Sequence, residues 1–372
     1  MLTSKLENKY SERAEFIEVK DRKVVKTLGN LQKEYTALRE GAMFYDCSTY
    51  GLFSVEGDKA ELFLENLATK DIQYLNVGNV SECYFLNEEA EIVGNVFIVR
   101  RENDFIVISP WEKAADVKEW LVIQAKESEY EIEIKDLFDT MAIVSTEGPK
   151  SWKVVKKIFG VEIENLALRA SMSFSWNGQE VLLIRAGRSS EYGYIAISSI
   201  EGGLNIYDKL LSEDGQWDFP VNEGGLECLE LSMLEVHQPN FLRETSEHGN
   251  IFELAQQWQI QFDKEDYIGY EKMMEIFKSG KSKGAVGFVA TESQIPYETG
   301  DKLYLNEACI GHIIYSLFSI KLCKPLGIAL LNDPYANAGL TYEVKTSDGV
   351  LQKIQTISGP FIRPLSWDQK ME

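Results

Sequence analysis

The chain has 372 residues, with 59 acidic against 38 basic side chains and a formal net charge of −21 at pH 7. A surplus of negative charge repels phosphate backbones and anionic lipid surfaces, so we expect neither nucleic acid nor a membrane as a partner. The length exceeds what one hydrophobic core usually serves and predicts two or three domains.

Targeting signals and reactive clusters are missing from the sequence. The chain has no run of about 18 apolar residues, and its first residues lack the apolar core of a signal peptide, so we expect a soluble, cytoplasmic protein. Five scattered cysteines without a CxxC pair are interpreted as buried thiols. The three histidines have no metal-ligand spacing, which argues against a zinc or iron site.

Strand and helix patterns alternate through the first half of the chain. Residues 51–57 are strand-like, and residues 58–72 have apolar side chains at helical spacing. Residues 95–110 predict a hairpin that turns at residues 102–104, and residues 112–126 predict a second helix.

The same order recurs further along. We predict a strand within 139–148, a helix within 149–160, two strands within 179–198 and a helix within 202–215. The order strand, helix, strand pair, helix thus occurs twice, and it is typical of an α+β fold. After about residue 283, five or so short strands with turn residues between them predict a small β-barrel or sandwich.

One short stretch, Glu91 to Arg101, reads "EIVGNVFIVRR". A Gly-Asn pair between two β-branched apolar runs is a common two-residue hairpin connection. The local pattern favours the turn, although a functional role for the asparagine is compatible with it. The residues alone leave both interpretations of Asn95 open.

Blocks spread over most of the chain resemble the T-protein family, the folate-dependent aminomethyltransferases of the glycine cleavage system and their demethylase relatives. The first block is residues 39–99, with its "FYDCSTYGLFSVEG" stretch followed by a helix. The later blocks include "GRSSEYGYIAIS", "GGLECLELSMLEVHQPN" and "KEDYIG", and the order of all of them is that of the family. The Cys-Tyr-x-Gly-Gln motif of the family's iron–sulfur assembly branch is absent.

This resemblance implies a three-domain cloverleaf around a central hole that holds tetrahydrofolate. Residues 1–282 would form the folate-binding body, made of two interleaved α+β subdomains, and residues 283–372 a small C-terminal β-barrel. The implied cofactor is tetrahydrofolate.

The resemblance also assigns site residues. The catalytic carboxylate of the family falls on Asn95, which has lost the charge. Glu191 corresponds to a pterin-binding glutamate, although a solvated turn glutamate is the alternative. Tyr84 matches an aromatic of the folate cleft and Trp258 an aromatic near the "KEDYIG" segment, where core packing is the competing role for both.

Two departures from the family pattern concern the residues that would bind the folate tail. The two arginines of the family fall on Leu229 and Met233, which implies either weaker binding of the folate tail or a different cationic group there, such as Arg188 or Arg243. Glu235 is retained.

Three further side chains are candidate substrate contacts. His237 follows the retained Glu235 where the family has small residues, although a lone histidine is more often structural. Tyr192 and Tyr194 are candidate proton donors should the donor be a methoxy compound.

We therefore predict a folate-dependent one-carbon transferase. The leading hypothesis is a methyltransferase or demethylase that moves a methyl group from a sulfonium, quaternary ammonium or methoxy compound to folate N5. An aminomethyltransferase of the glycine cleavage system and a noncatalytic folate-binding protein are the alternatives. The charge of −21 would oppose docking of an acidic lipoyl carrier protein, which argues for a small-molecule donor.

Overall fold

The computed structural model describes residues 1–245, 248–346 and 349–371. Its helices, numbered in chain order, are α1 Leu31–Glu40, α2 Ala60–Leu67, α3 Ala114–Glu127, α4 Ser151–Phe159, α5 Ile200–Leu211, α6 Leu226–Val236 and α7 Tyr270–Ser279. None of the helices in these ranges is long and apolar enough to cross a membrane.

The strands of the body, in chain order, are β1 Glu15–Val19, β2 Arg22–Thr27, β3 Ala42–Asp46, β4 Gly51–Glu56, β5 Val80–Leu86, β6 Ile92–Arg100, β7 Phe105–Ser109, β8 Glu133–Asp136, β9 Met141–Glu147, β10 Ser171–Trp176, β11 Gln179–Ile184, β12 Gly193–Ser199 and β13 Val221–Glu223. The later strands are β14 Lys283–Ala290, β15 Lys302–Leu305, β16 Ala308–Ser319, β17 Lys324–Asn332, β18 Thr341–Lys345 and β19 Leu351–Ile357.

Two sheets form the body, a mixed one with the parallel pair β3 and β13, and an antiparallel one. One has the order β10-β11-β12-β9-β3-β13 and the other the order β5-β6-β7-β4-β8, while β1 and β2 make a separate ribbon. Alternate residues along each strand point to opposite faces. Ile195 and Ile197 of β12 therefore join Phe97 and Val99 of β6 in one buried cluster that also includes residues of α6. That cluster holds the two sheets together.

The helices cover the outer faces of the two sheets. Side chains of α4 and α5 pack on the first sheet, and side chains of α2 and α3 pack on the second. Residues 283–357 form a closed barrel of the order β14-β17-β16-β15-β18-β19. The predicted α+β body with a C-terminal β-barrel is confirmed, with one more barrel strand than the sequence pattern indicated.

The interpretation of Gly94-Asn95 as a hairpin turn is wrong. Both residues lie inside β6, paired with Phe85 and Tyr84 of β5, and the hairpin turns instead at residues 87–91. Glycine is required here by packing, because a Cβ on Gly94 would lie 2.2 Å from Cγ2 of Val117 on α3. The Gly-Asn pair thus brings α3 close to the sheet and starts no turn.

The interpretation of all five cysteines as buried thiols is correct for three of them. Cys47, Cys83 and Cys228 are buried, whereas Cys309 and Cys323 are exposed. The two exposed thiols belong to the barrel, where Cys309 lies near the start of β16 and Cys323 lies in the turn that follows it. Residues in turns and at strand ends are usually exposed to solvent, so the apolar character of cysteine alone does not predict that these two thiols are buried.

Lys264 of the "KEDYIG" segment fastens that segment to the end of α2. Its Nζ donates to the carbonyl oxygens of Glu65, Ala68 and Lys70 at 2.7, 2.8 and 3.0 Å and pairs with the Glu65 carboxylate at 3.0 Å. The Glu65 carbonyl belongs to the last turn of α2, where carbonyls have no partner within the helix, and the other two lie in the backbone just after it.

We expect Lys264→Met to lower the free energy of unfolding by about 2 to 4 kcal/mol, because it orphans carbonyls at a buried helix end. Urea unfolding at 25 °C measures the change. The matched control is Lys278→Met on α7, an exposed position that should leave the midpoint unchanged. Equal midpoints for both variants would contradict the fastening role.

Candidate functional site

Tyr84 and Asn95 are cross-strand partners on β5 and β6. The adjacent residues Cys83 and Val96 pack against α2 and α3. Because neighbouring side chains of a strand point to opposite faces, Tyr84 and Asn95 occupy the other face of the sheet. Asn95 is 6% exposed, and its Nδ2 lies 3.3 Å from the Glu82 carboxylate, to which it donates. Its Oδ1 is buried without a hydrogen-bond partner among the described residues.

Arg169 lies on the other side of the same glutamate. Its guanidinium forms an ion pair with Glu82 and its central carbon is 4.8 Å from the centre of the Phe97 ring, while Nη1 is buried without a partner among the described residues. Glu82 thus contacts both Asn95 and Arg169. Within the described ranges, the atom without a partner is an acceptor, Oδ1, in Asn95 and a donor, Nη1, in Arg169. Buried polar groups are normally paired, so a ligand or water carrying a donor and an acceptor fits this arrangement.

Lys70 and Gln259 extend the polar cluster. Lys70 donates to Oε1 of Gln259 at 2.6 Å, and Nε2 of the same amide is buried without a partner in the described part of the chain. Desolvation lowers the pKa of Lys70, which nearby Cys83 and Glu82 partly offset. We call Lys70, Glu82, Asn95, Arg169 and Gln259 the β5–β6 cluster.

Tyr84 begins a chain of hydrogen bonds that leads from this sheet to the barrel. Its hydroxyl donates to Oε1 of Gln256 at 3.0 Å, and Nε2 of Gln256 donates to Glu244 at 3.3 Å. Tyr315 on β16 donates to the same carboxylate at 3.3 Å. Burial is the main cause that raises the pKa of Glu244 to about 7. The carboxyl is therefore poised to change charge near neutral pH.

His237 and Trp258 lie at a cavity between the body and the barrel. The cavity has an empty volume of about 520 Å³, open to solvent, and Glu244 and Tyr315 contribute to its wall. His237 ends α6, packs edge-on against Phe361 with ring centres 4.9 Å apart, and has its Nε2 buried without a partner among the described residues. Burial lowers its pKa to about 4, so the imidazole is neutral at pH 7.

Trp258 is 48% exposed at the mouth of this cavity. The structure therefore brings His237 and Trp258 together, away from direct contact with Asn95. Gln256 lines the cavity and accepts from Tyr84, whereas Gln259, the residue after Trp258, accepts from Lys70 in the β5–β6 cluster.

Glu191 is buried and surrounded by donors from its own chain. Oε1 accepts from Arg39 at 3.3 Å and from the backbone N–H of Leu365 at 3.2 Å. Oε2 accepts from the backbone N–H and the hydroxyl of Ser366 at 2.9 and 2.6 Å. These four bonds use the full acceptor capacity of the carboxylate, so a ligand can reach Glu191 only if residues 365–366 move away.

Tyr192 and Tyr194 contact the same C-terminal segment. The Tyr192 hydroxyl donates to the Gln369 carbonyl, and the Tyr194 hydroxyl lies 3.6 Å from the sulfur of Met371. Tyr194 is buried among the side chains of α4 and α5, on the face of β12 opposite to Ile195. Strand alternation thus places the two tyrosines outside the space between the sheets, and the structure does not bring them to Asn95.

The cationic candidates for a ligand tail already have carboxylate partners. Arg188 pairs with the buried Glu112 at 2.5 Å, and Arg243 pairs with Glu230 at 3.1 Å. Leu229 and Met233 are fully buried in the cluster that joins the two sheets. Apolar side chains at these two positions contribute to the core, where an arginine would need a buried counter-ion.

The comparisons with known proteins agree with this architecture. The chain is 21% identical to the glycine cleavage system aminomethyltransferase T from Bartonella henselae, with a TM-score of 0.86 over 98% of both chains, a likeness that establishes the fold. The family model described as GCVT N-terminal domain matches residues 7–264, and the Glycine cleavage T-protein C-terminal barrel domain matches residues 283–362. The chain belongs to the glycine cleavage T-protein family.

Relatives in sequence cover most of both chains. An aminomethyltransferase from Caldanaerobacter subterraneus subsp. tengcongensis is 26% identical over 316 residues, which are 84% of this chain and 82% of the relative. An aminomethyltransferase from Clostridium botulinum (strain 657 / Type Ba4) is 25% identical over 328 residues, 86% of each.

Proposed function

We propose that this protein is a tetrahydrofolate-dependent one-carbon transferase whose pterin ring is held by the β5–β6 cluster, with Glu191 as a further ligand once residues 365–366 move away. Membership of the T-protein family and the names of the aminomethyltransferase relatives support this class of activity. The observation that carries the location is the buried Oδ1 of Asn95, which lacks a partner among the described residues. Tetrahydrofolate, when bound, supplies a nucleophilic nitrogen that accepts the one-carbon unit.

The free atoms of the cluster suit a pterin ring. Asn95 offers an acceptor, and Arg169 and Gln259 each offer a donor, which matches the N–H groups and the carbonyl at a pterin edge. Tyr84 lies beside Asn95 with its hydroxyl turned to Gln256, so its ring is fixed next to the cluster. Burial raises the pKa of Tyr84 and keeps the phenol protonated. These residues orient the ring and exclude water.

We propose further that the transferred group is a methyl from a small cationic donor. An amide at position 95 cannot carry the negative charge with which a carboxylate stabilises a cationic transition state or relays a proton. Methyl transfer from a sulfonium or quaternary ammonium releases a neutral leaving group, so orientation and desolvation can supply much of the rate. The second candidate is aminomethyl transfer, which the names of the relatives favour.

Calorimetric titration with tetrahydrofolate tests the location. Asn95→Leu is expected to weaken binding at least tenfold, which corresponds to about 1.4 kcal/mol, because a buried acceptor for the pterin is removed. The matched control is Asn103→Leu, an exposed position in the turn that follows β6. Unchanged affinity in Asn95→Leu would place the pterin elsewhere.

The transferred group is tested by product analysis with mass spectrometry. The folate-loaded protein is incubated either with a panel of sulfonium, quaternary ammonium and methoxy donors or with an aminomethylated lipoyl carrier protein. Methyl-tetrahydrofolate from a small donor supports the first candidate, and methylene-tetrahydrofolate from the carrier protein supports the second. Folate binding with neither product would indicate a noncatalytic folate-binding protein.

A further inference from the structure

The cavity between the body and the barrel has the wall of a small binding site. Its apolar part comes from aliphatic side chains, and Trp258 lies at its mouth. Its polar part is formed by His237, Gln238, Glu244, Gln256 and Tyr315. Trp258 and Tyr315 line the cavity with aromatic rings, and the face of such a ring is electron-rich and attracts a cation. The neutral His237 adds a buried Nε2 that has no partner among the described residues.

Glu244 is the acidic group of this wall, and its hydrogen bonds leave it room for an occupant. Oε1 accepts from the backbone N–H of Asn240 at 3.1 Å and from Tyr315 at 3.3 Å, whereas the hydrogen bond to Oε2 is from Gln256 at 3.3 Å. These bonds are long for a carboxylate, whose charge-assisted bonds are usually about 2.7 to 2.9 Å. A cation in the cavity would stabilise the ionised form far better than these neutral donors do.

The surrounding charges also favour a positive occupant. The charge of Arg243 is neutralised by its ion pair with Glu230. Glu244 also lines a second cavity, whose other charged side chains are Glu89, Glu91 and Lys113. The whole chain adds a formal charge of −21. The field at the cavity therefore attracts a small cation and repels an anion.

We propose that this cavity binds a small methylated cation, a quaternary ammonium or a sulfonium, through the Glu244 carboxylate and the rings of Trp258 and Tyr315. The occupant would be the methyl donor, so the inference rests on the proposed function for its role. Gln256 joins the cavity to Tyr84, the cross-strand partner of Asn95. The cation site and the pterin site would thus be joined through the buried side chains of Tyr84 and Gln256, and the donor would have to move past them for the transfer.

Calorimetry at pH 8 without folate tests the cavity directly. The probes are tetramethylammonium, trimethylsulfonium and choline, with 3,3-dimethyl-1-butanol as the uncharged counterpart of choline. We expect saturable binding of at least one of the cations and at least tenfold weaker binding of the alcohol, since the alcohol lacks the charge that the carboxylate and the rings recognise. Binding of the alcohol with the same affinity as choline, or binding of none of the cations, would overturn the proposal.

Two variants locate the bound cation. Glu244→Gln keeps the shape and one hydrogen-bond acceptor, and we expect it to weaken cation binding at least tenfold. Trp258→Leu changes an exposed position that should not disturb folding, and we expect a loss of about two- to fivefold. Glu265→Gln removes an equal charge from an exposed position and is the control. An affinity that both cavity variants leave unchanged would overturn the proposal.

The pH profile gives a second readout. Around Glu244, burial keeps the pKa of Tyr315 raised and that of His237 low, so neither titrates between pH 6 and 8. With the pKa of Glu244 near 7, the ionised fraction and hence the affinity should rise about tenfold from pH 6 to pH 8. Glu244→Gln should abolish this rise, and a rise that persists in the variant would overturn the assignment to Glu244.

Cation binding and folate binding, measured separately, distinguish an error about the cavity from an error about the folate site. Suppose that Asn95→Leu loses folate binding and that the wild type binds no cation. This result would contradict the cation site and support the folate site. Cation binding that depends on Glu244, without folate binding, supports the cavity and overturns the proposed function.

Discussion

Replacing Glu235 with alanine is expected to lower the free energy of unfolding by about 3 to 5 kcal/mol, a large part of the stability of a typical protein. Glu235 is fully buried on α6 and accepts from Nε and Nη2 of Arg39 at 3.2 and 3.0 Å. It also accepts from Tyr35 at 2.8 and 2.9 Å and from Ser319 of the barrel at 2.7 Å. Alanine would leave a buried guanidinium underpaired and two buried hydroxyls without an acceptor.

Urea unfolding followed by circular dichroism measures this change, with two companion variants. Glu235→Gln retains an acceptor and loses the charge, so its effect should be smaller than that of alanine. Glu227→Ala removes a partly exposed glutamate from the first turn of the same helix and should change stability little. A Glu235→Ala variant as stable as Glu227→Ala would show that the buried network contributes no net stability.

Elements with a regular apolar period were predictable from the sequence. The hairpin of β6 and β7 turns near residues 102–104, and α3, α4 and α5 overlap their predicted ranges, since each has an alternating or helical pattern. The helix predicted over residues 58–72 is shorter, ending at Leu67. Its end is fixed by Lys264, nearly 200 residues away in the chain, and a local pattern has no access to such a contact.

The error at Gly94 has a similar cause. A Gly-Asn pair is chemically suited to a turn, but the residues on both sides continue one nine-residue strand. Contact with Val117 of α3 decides the role of the glycine, and α3 lies about 20 residues further along. Tertiary packing therefore overrides the local preference.

Sequence reasoning named part of the candidate site and missed the rest. Asn95 and Tyr84 came from the family resemblance, and the structure pairs them across two strands. Arg169 and Glu244 had no motif around them, and both lie in irregular connections outside the helices and strands. Their importance comes from burial and from unpaired atoms nearby, which only the folded chain reveals.

The second large effect concerns the C-terminal segment, residues 365–371, which no sequence motif links to Glu191, about 175 residues earlier in the chain. Deleting residues 365–372 is expected to tighten tetrahydrofolate binding about 10- to 100-fold if Glu191 is a pterin ligand. The segment supplies three of the four donors that Glu191 accepts from. A ligand must displace these donors first, and its apparent affinity falls by the fraction of molecules in which the segment is displaced.

Calorimetry on the truncated chain measures the effect, with a shorter deletion of residues 370–372 as the control that leaves Leu365 and Ser366 in place. Both deletions remove the contact of Met371 with Tyr194, so any shared loss of stability cancels in the comparison. Adding Glu191→Ala to the longer deletion should abolish the gain, because the freed carboxylate is what the pterin would contact. A gain that survives this substitution, or equal affinities for the two deletions, would mean that the segment does not compete with folate for Glu191.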